Sequence, residues 1–284
     1  MAERLSDIVA QIQNVRQLNA VVAAMRGIAA ARAQKGHSML AGIEAYSEVI
    51  SRAIGEALNL LPVEATAPPA HERPKHGLIL FCAEQGFAGA FSERVLETAG
   101  TDVGTATNLI VGTRGYGIAS ERGIIAHWST AMTTRVEGIP NFANRLAEVL
   151  YRNLAENAFA TVDVLFSRSI SGSIRVDRRS LLPIDFARFA RPPEREPPLI
   201  TLVPDLLLER LAAEYIYAQL CQAAMHAFVA ENEARMIAMQ AAKNNTDTKL
   251  DALVRREQWL RQEEITTEIV ELAAGAEAAR PALS

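Results

Sequence analysis

Residues 205–278 read DLLLERLAAEYIYAQLCQAAMHAFVAENEARMIAMQAAKNNTDTKLDALVRREQWLRQEEITTEIVELAAGAEA, with no proline and with no glycine before Gly275. Nearly all of these residues favour helix, and hydrophobic residues recur at steps of three and four. A continuous helix of this length would extend about 110 Å at ~1.5 Å per residue, which exceeds the diameter of a typical domain. The stretch therefore predicts a helix that pairs with another helix, projects from the body of the protein, or does both.

The first 61 residues predict a second long helix. Their hydrophobic side chains keep helical spacing through two stripes, separated by an alanine-rich span and Gly36. The stripes consist of Leu5, Ile8, Ile12, Val15, Leu18, Val22, Met25 and Ile28, and then of Met39, Ile43, Tyr46, Ile50, Ile54, Leu58 and Leu61. Prolines from Pro62 to Pro74 then predict a linker that reaches about residue 76.

The middle of the chain alternates between strand-like and helix-like segments. Short apolar runs bounded by turn residues predict buried strands at 77–82, 107–112 and 161–166. Helical segments are predicted between them, at 87–99, 114–121 and 139–157. Residues 174–186 predict a closing edge strand, and the proline-rich residues 191–198 predict a second linker. This alternation is typical of an α/β sheet domain.

The predicted fold is therefore α/β, with a Rossmann-like α/β domain inserted between two long helices. The division is 1–61 for the N-terminal helix, 77–190 for the α/β domain and 205–278 for the C-terminal helix. Each long helix needs a partner for its apolar stripe, and a long antiparallel coiled coil is the simplest solution. The second helix turns polar at 243–249, so we expect a surrounding partner to contact parts of it.

Composition excludes several classes of function. A formal net charge of −4 and a pI near 5.8 argue against nucleic acid as a partner, since such proteins usually carry a basic surface. No apolar stretch reaches the length of a membrane span, and the N-terminus has no signal core. We expect a protein of the cytosol or of the cytosolic face of a membrane. Cys82 and Cys221 are far apart in apolar contexts, which predicts buried reduced thiols.

The sequence contains no credible active site. It has no Gly-Lys dipeptide, which excludes a Walker-type phosphate loop. The glycines of Gly112–Gly117 follow a predicted strand, but their spacing fits a sharp turn better than a dinucleotide site. The histidines lack metal-ligand spacing, and Glu231 and Glu233 point to different faces of a helix. We expect no catalytic residues, no cofactor, no metal and no small-molecule substrate.

Four short blocks point to a known family. They are Ala24–Arg32 (AMRGIAAAR), Gly86–Phe91 (GFAGAF), Glu231–Met239 (ENEARMIAM) and Arg261–Leu272 (RQEEITTEIVEL). In order and spacing they resemble segments of the γ subunit of F-type ATP synthases, and the resemblance covers essentially the whole chain. The last two blocks are the most specific, since they follow the family's Ala-Arg-Met-x-Ala-Met and Arg-Gln-x-x-Ile-Thr-x-Glu-Ile patterns.

The resemblance implies a central-stalk rotor subunit that is not catalytic by itself. In the family, the two terminal helices form a shaft inside a ring of alternating α and β subunits, and the α/β domain lies on the ε subunit and the membrane c-ring. Rotation of the shaft couples transmembrane ion flow to ATP synthesis or hydrolysis in the ring. The resemblance also implies a peripheral position on the cytoplasmic face of the bacterial inner membrane.

The resemblance also implies which residues contact the ring. Arg261, Gln262, Thr266 and Glu268 match the polar positions that the family uses against the β subunits. Met25 matches the position of the N-terminal helix that is linked to coupling. An alternative without the resemblance is that these are solvated positions on an amphipathic helix.

Departures from the family pattern are also present. Ala23 replaces a lysine, Glu84-Gln85 replaces Asp-Arg, and Glu257–Leu260 replaces Tyr-Asn-Lys-Ala. They predict a divergent branch, such as the γ subunit of an alternative ion-translocating ATPase. Two other classes of function remain open from the residues alone: a self-contained enzyme built on 77–186, and a non-rotary coiled-coil scaffold or assembly protein with an α/β domain.

Overall fold

A computed structural model describes residues 4–61, 75–170, 172–190 and 199–278. Residues 62–74 of the first predicted linker and all of the second lie outside this part. The helices are α1 (Leu5–Leu58), α2 (Phe91–Ala99), α3 (Thr113–Glu121), α4 (Ile139–Ala155) and α5 (Pro204–Ala278). The strands are β1 (His76–Phe81), β2 (Thr107–Val111), β3 (Trp128–Thr130), β4 (Thr161–Ile170) and β5 (Ser173–Leu182). Both long helices are present with nearly the predicted bounds.

The strands form one sheet in the order β3-β2-β1-β4-β5. Strands β1 to β4 are parallel, and β5 pairs antiparallel with β4. This order follows the Rossmann pattern, which confirms the predicted fold class. The sequence analysis missed β3, because its three residues are too few for an apolar run. It also placed His76 in the linker, whereas this side chain lies in β1 and contacts the Thr161 hydroxyl at 2.9 Å.

Helices cover both faces of the sheet. Along β1, Leu78 and Leu80 pack with α2 and α3, while Ile79 and Phe81 pack with α4 and α5. This alternation follows from the two-residue repeat of a strand. All four side chains are fully buried, as expected for a parallel strand with helices on both faces.

The middle of α5 is buried on all sides. From 216 to 232 no residue is exposed, because this segment packs on the sheet and also pairs with α1. A segment that is mainly apolar around its circumference, with its buried polar side chains hydrogen-bonded, belongs in such a position. The many alanines here allow close approach of the neighbouring elements.

The chain forms two compact units, and both long helices contribute to each. The larger unit spans Ile28–Met236, and in it α1 pairs antiparallel with α5 through Gln219 with Ser47 at 3.0 Å and Glu233 with His37 at 2.7 Å. The smaller unit contains the described parts of Met1–Gly27 and Ile237–Ser284. Its helices are also antiparallel, as hydrogen bonds from Asn19 to Asp247 and from Arg26 to Gln240 show. The division into domains at 61, 77, 190 and 205 stays a prediction.

A buried polar network links β5 to both long helices. The Arg179 guanidinium donates to the side-chain oxygens of Gln219 and Gln222, both at 2.6 Å. It also lies 5.2 Å from the centre of the Phe166 ring, on which His226 stacks at 5.8 Å. Gln219 then continues the network to the Ser47 hydroxyl of α1. These directional contacts fix how the sheet faces the helix pair.

Gly36 lies where α1 approaches α5 closely. A Cβ atom at this position would lie 2.5 Å from a methyl carbon of Val229, which is itself buried. The apolar stripe is therefore interrupted at Gly36 because a larger side chain here would collide with α5. Gly42 lies in the same helix with nothing within 4 Å of its hypothetical Cβ.

We expect Gly36→Ala to destabilise the chain although alanine favours helix. Overpacking typically costs about 1–3 kcal/mol, more than the gain of about 1 kcal/mol in helix propensity. The matched control Gly42→Ala should be neutral or stabilising. Urea unfolding of both variants measures the difference, and equal stabilisation by the two changes would contradict the close approach.

A second prediction concerns pH. Burial, together with Arg168 and Arg179, lowers the pKa of His226 to about 4, from an ordinary value near 6.5. Asp177 opposes this shift, and Glu44 is 3.9 Å away. Since the unfolded chain binds a proton that the folded chain excludes, the contribution of His226 to stability is complete above pH ~6.5 and is lost as the pH falls towards ~4.

The test compares urea unfolding of the native chain and of His226→Gln between pH 7.5 and 4.5. The native chain should lose more stability than His226→Gln over this range. Identical pH profiles for the two would show that His226 is not buried as a neutral group.

Candidate functional site

The predicted contact residues of α5 lie on its exposed C-terminal part. Every residue from 261 to 275 is exposed. Arg261 and Glu268 are seven residues apart and share one face of the helix, while Gln262 and Thr266 share another. At 3.6 residues per turn these faces point about one third of a turn apart. The segment therefore presents two separate polar faces to its surroundings.

The local contacts of these side chains leave them accessible. Arg261 forms an ion pair with Glu257 at 2.6 Å, one turn earlier, and keeps 61% of its side-chain surface exposed. The Thr266 hydroxyl donates to the Gln262 backbone carbonyl at 2.8 Å, and both residues are exposed. Glu268 lines a groove of about 1000 Å³, to which Arg4 and Val9 of the N-terminal end also contribute.

Met25 lies elsewhere on the same unit. It is half-buried on α1, and its neighbour Arg26 donates to Gln240 of α5. Arg261 is 21 residues further along α5 than Gln240, or about 30 Å at ~1.5 Å per residue. The structure therefore brings the four polar residues together and places Met25 far from them.

Large hydrophobic side chains surround the polar positions and are not covered. Between 50% and 74% of the surface of five such residues in α5 is exposed, namely Trp259, Ile265, Ile269, Val270 and Leu272. On α1 of the same unit, Leu18 and Val21 are also more than half exposed. Apolar exposure on this scale is typical of a surface that another protein covers.

The polar stretch of α5 at 243–249 contacts α1. Asp247 accepts a hydrogen bond from Asn19 of α1 and forms an ion pair with Lys243 at 2.6 Å. The hydrogen bonds from Lys243 and Asn19 lower the pKa of Asp247. Part of this polar stretch therefore fixes the pairing of the two helices, while Asn244, Asn245, Thr248 and Lys249 remain exposed.

A buried polar cluster, formed by Glu231, Asn232 and Arg235, connects α5 to the turn after β1. The Glu231 carboxylate accepts from the backbone N–H groups of Glu84 at 3.1 Å and Gln85 at 3.2 Å. Arg235 forms an ion pair with Glu231 and donates to the carbonyls of Gln85 and Gly86, both at 3.1 Å. These two charged side chains are only 6–7% exposed.

The sequence predicts no role for this cluster, and Glu231 is only a poor catalytic candidate there. The available signal is that Glu231 and Arg235 lie one helical turn apart at the end of a mainly apolar stretch without charged residues. Charged residues are rarely buried unless they are paired.

The Glu84 carboxylate binds the Gly112–Gly117 turn, which superficially resembles a dinucleotide site. Its carboxylate accepts from the backbone N–H and the hydroxyl of Thr113, both at 2.9 Å, and from the N–H of Met132 at 2.8 Å. A carboxylate thus occupies the N-terminus of α3, where a nucleotide phosphate would bind. Gly112 has a φ of 105°, and a Cβ there would lie 2.5 Å from the Cys82 carbonyl oxygen. A glycine is therefore needed here to allow the close approach of the two backbone segments.

Two further properties concern the described part of the chain. Within residues 4–61, 75–170, 172–190 and 199–278, no group of three or more His, Cys, Asp or Glu side chains is placed to hold a metal ion. No helix among the same residues is both long enough and apolar enough to cross a membrane.

Comparisons with known proteins agree with the fold and the motifs. The ATP synthase γ chain of Bdellovibrio bacteriovorus is 24% identical, with 96% of this chain and 98% of the relative covered. The γ chain of Moorella thermoacetica is 27% identical, with 96% and 98% covered. A chain in the structure of the Euglena gracilis mitochondrial ATP synthase, OSCP/F1/c-ring, matches with a TM-score of 0.62 and 10% identity, covering 96% of this chain and 94% of that chain. That similarity concerns the fold.

The comparisons also decide between the classes of function that the residues left open. They support a non-catalytic stalk subunit, and neither a self-contained enzyme nor a scaffold is favoured. The model of the family described as ATP synthase matches residues 4–279, and the chain therefore belongs to the ATP synthase family.

Proposed function

We propose that this chain is the central rotor of an ATP synthase and couples transmembrane ion flow to ATP synthesis or hydrolysis in a catalytic ring. The observation that carries the proposal is the exposed end of α5, where four polar coupling residues lie among uncovered hydrophobic side chains. On a chain that works alone such a surface would be a liability. Inside a ring it is the contact surface.

The two polar faces suit a ring with three catalytic sites. Arg261 and Glu268 point about one third of a turn away from Gln262 and Thr266, and this angle is close to the spacing of three sites around an axis. At any angle of the shaft the two faces therefore meet different subunits of the ring. Each catalytic site is then biased by the contacts that it makes, and rotation passes those contacts from one site to the next.

The proposed partners follow from the family. The α and β subunits surround the helix pair, and the ε subunit and the c-ring contact the α/β part of the chain. The complex places the chain on the cytoplasmic face of the bacterial inner membrane as a peripheral subunit. The departures at Ala23, Glu84-Gln85 and Glu257–Leu260 support a divergent branch such as an alternative ion-translocating ATPase.

One experiment distinguishes the rotor from a scaffold. Affinity purification of the tagged full chain from its own cells should recover the α and β subunits in a three-to-one ratio to this chain. The purified chain alone should be monomeric in sedimentation. Recovery of a stable helical homodimer without ring subunits would favour the scaffold instead.

A second experiment tests the coupling residues. The double variant Arg261→Ala/Gln262→Ala should weaken ring assembly or reduce ATP-driven ion pumping in reconstituted vesicles. Each lost hydrogen bond is worth about 1 kcal/mol, or about fivefold. We expect this loss because both side chains are exposed and available to the ring, whereas the ion pair of Arg261 is with its near neighbour Glu257.

The matched control is Arg255→Ala/Gln258→Ala, which removes the same residue types from exposed positions one to two turns earlier in α5. This control should pump like the native complex. If the Arg261/Gln262 variant also assembles and pumps normally, these residues are solvated positions without a coupling role.

A further inference from the structure

We propose that Glu231 and Arg235 are positioning residues that fix the register of α5 against the sheet, so that torque passes between the helix pair and the α/β part without slip. This inference rests on the proposed rotor function and goes beyond it, since it concerns how force is transmitted within the subunit. It is carried by the buried polar cluster and by the turn that the cluster holds.

The cluster makes directional contacts to consecutive residues of one turn. Glu231 holds the N–H groups of Glu84 and Gln85, and Arg235 holds the carbonyls of Gln85 and Gly86. Arg235 also donates to the Asn232 side chain at 3.2 Å, which orients the guanidinium. Both donors and acceptors of the turn are therefore bound by two adjacent turns of one helix.

Apart from the Arg179 hydrogen bonds to Gln219 and Gln222 at β5, the remaining contacts of α5 with the sheet do not define a register as sharply. They are made largely by small and apolar side chains, among them Ala223, Ala224 and Ala227. Apolar contact is non-directional, so it defines a register less sharply than hydrogen bonds do. A shift of α5 by one residue, about 1.5 Å, would in contrast stretch the hydrogen bonds of the cluster beyond bonding distance. The Glu231–Arg235 ion pair would move with the helix, but the N–H and carbonyl groups of the turn would lose their partners.

The turn itself is suited to pass on a load. Phe87 has a φ of 62°, a conformation that its surroundings must enforce, whereas Gly89 adopts its φ of 60° freely. Arg32 of α1 reaches the Gln85 side chain at 3.4 Å, which gives both long helices a contact with this turn. Glu84 then binds Thr113 at the start of α3 and Met132 after β3. A continuous polar path thus runs from the helix pair into the sheet.

The first measurement is hydrogen exchange in the full chain. The amides of Glu84 and Gln85 owe their protection to Glu231, so Glu231→Gln and Arg235→Lys should each accelerate their exchange, by about tenfold or more. Amides of β2 should keep the native rate. Arg235→Met should have a larger effect than Arg235→Lys, because lysine retains the charge but not the fork of donors.

The second measurement is the ratio of ions pumped to ATP hydrolysed by the assembled complex in vesicles. The cluster variants should hydrolyse ATP at near-native rates and pump at least about twofold fewer ions per ATP. Glu209→Gln and Arg210→Lys, which change the same residue types at exposed positions elsewhere on α5, should keep the native ratio. A role in folding alone would lower hydrolysis and pumping together and leave the ratio intact.

The outcomes separate the two proposals. If the native complex does not pump at all, the proposed function is wrong. If the native complex pumps and the cluster variants keep its ratio, or if Glu84 and Gln85 stay protected, only the positioning role is wrong. For a variant that fails to assemble, exchange in the full chain decides: lost protection supports the role and retained protection overturns it.

Discussion

The burial of the middle of α5 on all sides is the constraint on which the rest of the structure depends. From 216 to 232 the helix packs against the sheet and against α1 at the same time, so it cannot be displaced without opening both interfaces. Apolar contact supplies most of the free energy of this arrangement, and its alanines allow the close approach. Apolar contact is non-directional, however, so it defines the orientation of the helix less sharply than hydrogen bonds do.

Polar contacts supply the missing direction. Arg179 with Gln219 and Gln222 orients β5 on the helix, and the cluster of Glu231, Asn232 and Arg235 fixes the turn after β1. Buried polar groups are costly unless every member is satisfied, so they occur where a unique geometry is needed. In a subunit that carries torque, that geometry is the connection between helix and sheet. Beyond Met236 the same helix has the opposite character, with an exposed surface that fits a partner.

Most of the fold was predictable from local patterns. Period and length gave the long helices, and apolar runs gave β1, β2 and β4. The three-residue β3 and the place of His76 were missed, because pairing with a neighbouring strand, and not the local sequence, decides them. Of the candidate site, the motif match gave Arg261, Gln262, Thr266 and Glu268. The role of Arg235 could not be obtained in this way, since its contacts are 149 and 150 residues distant.

By itself the sequence determined that the chain has two long helices around an α/β domain, that it carries no evident catalytic site, and which family its motifs match. Only the tertiary structure decided what individual residues do. Gly36 lies at a close approach of the two helices, the Glu84 carboxylate lies at the start of α3, and Glu231 and Arg235 connect α5 to the turn after β1. The physical reason is that helix propensity and apolar period are local, whereas close approach and polar satisfaction depend on residues far apart in the chain.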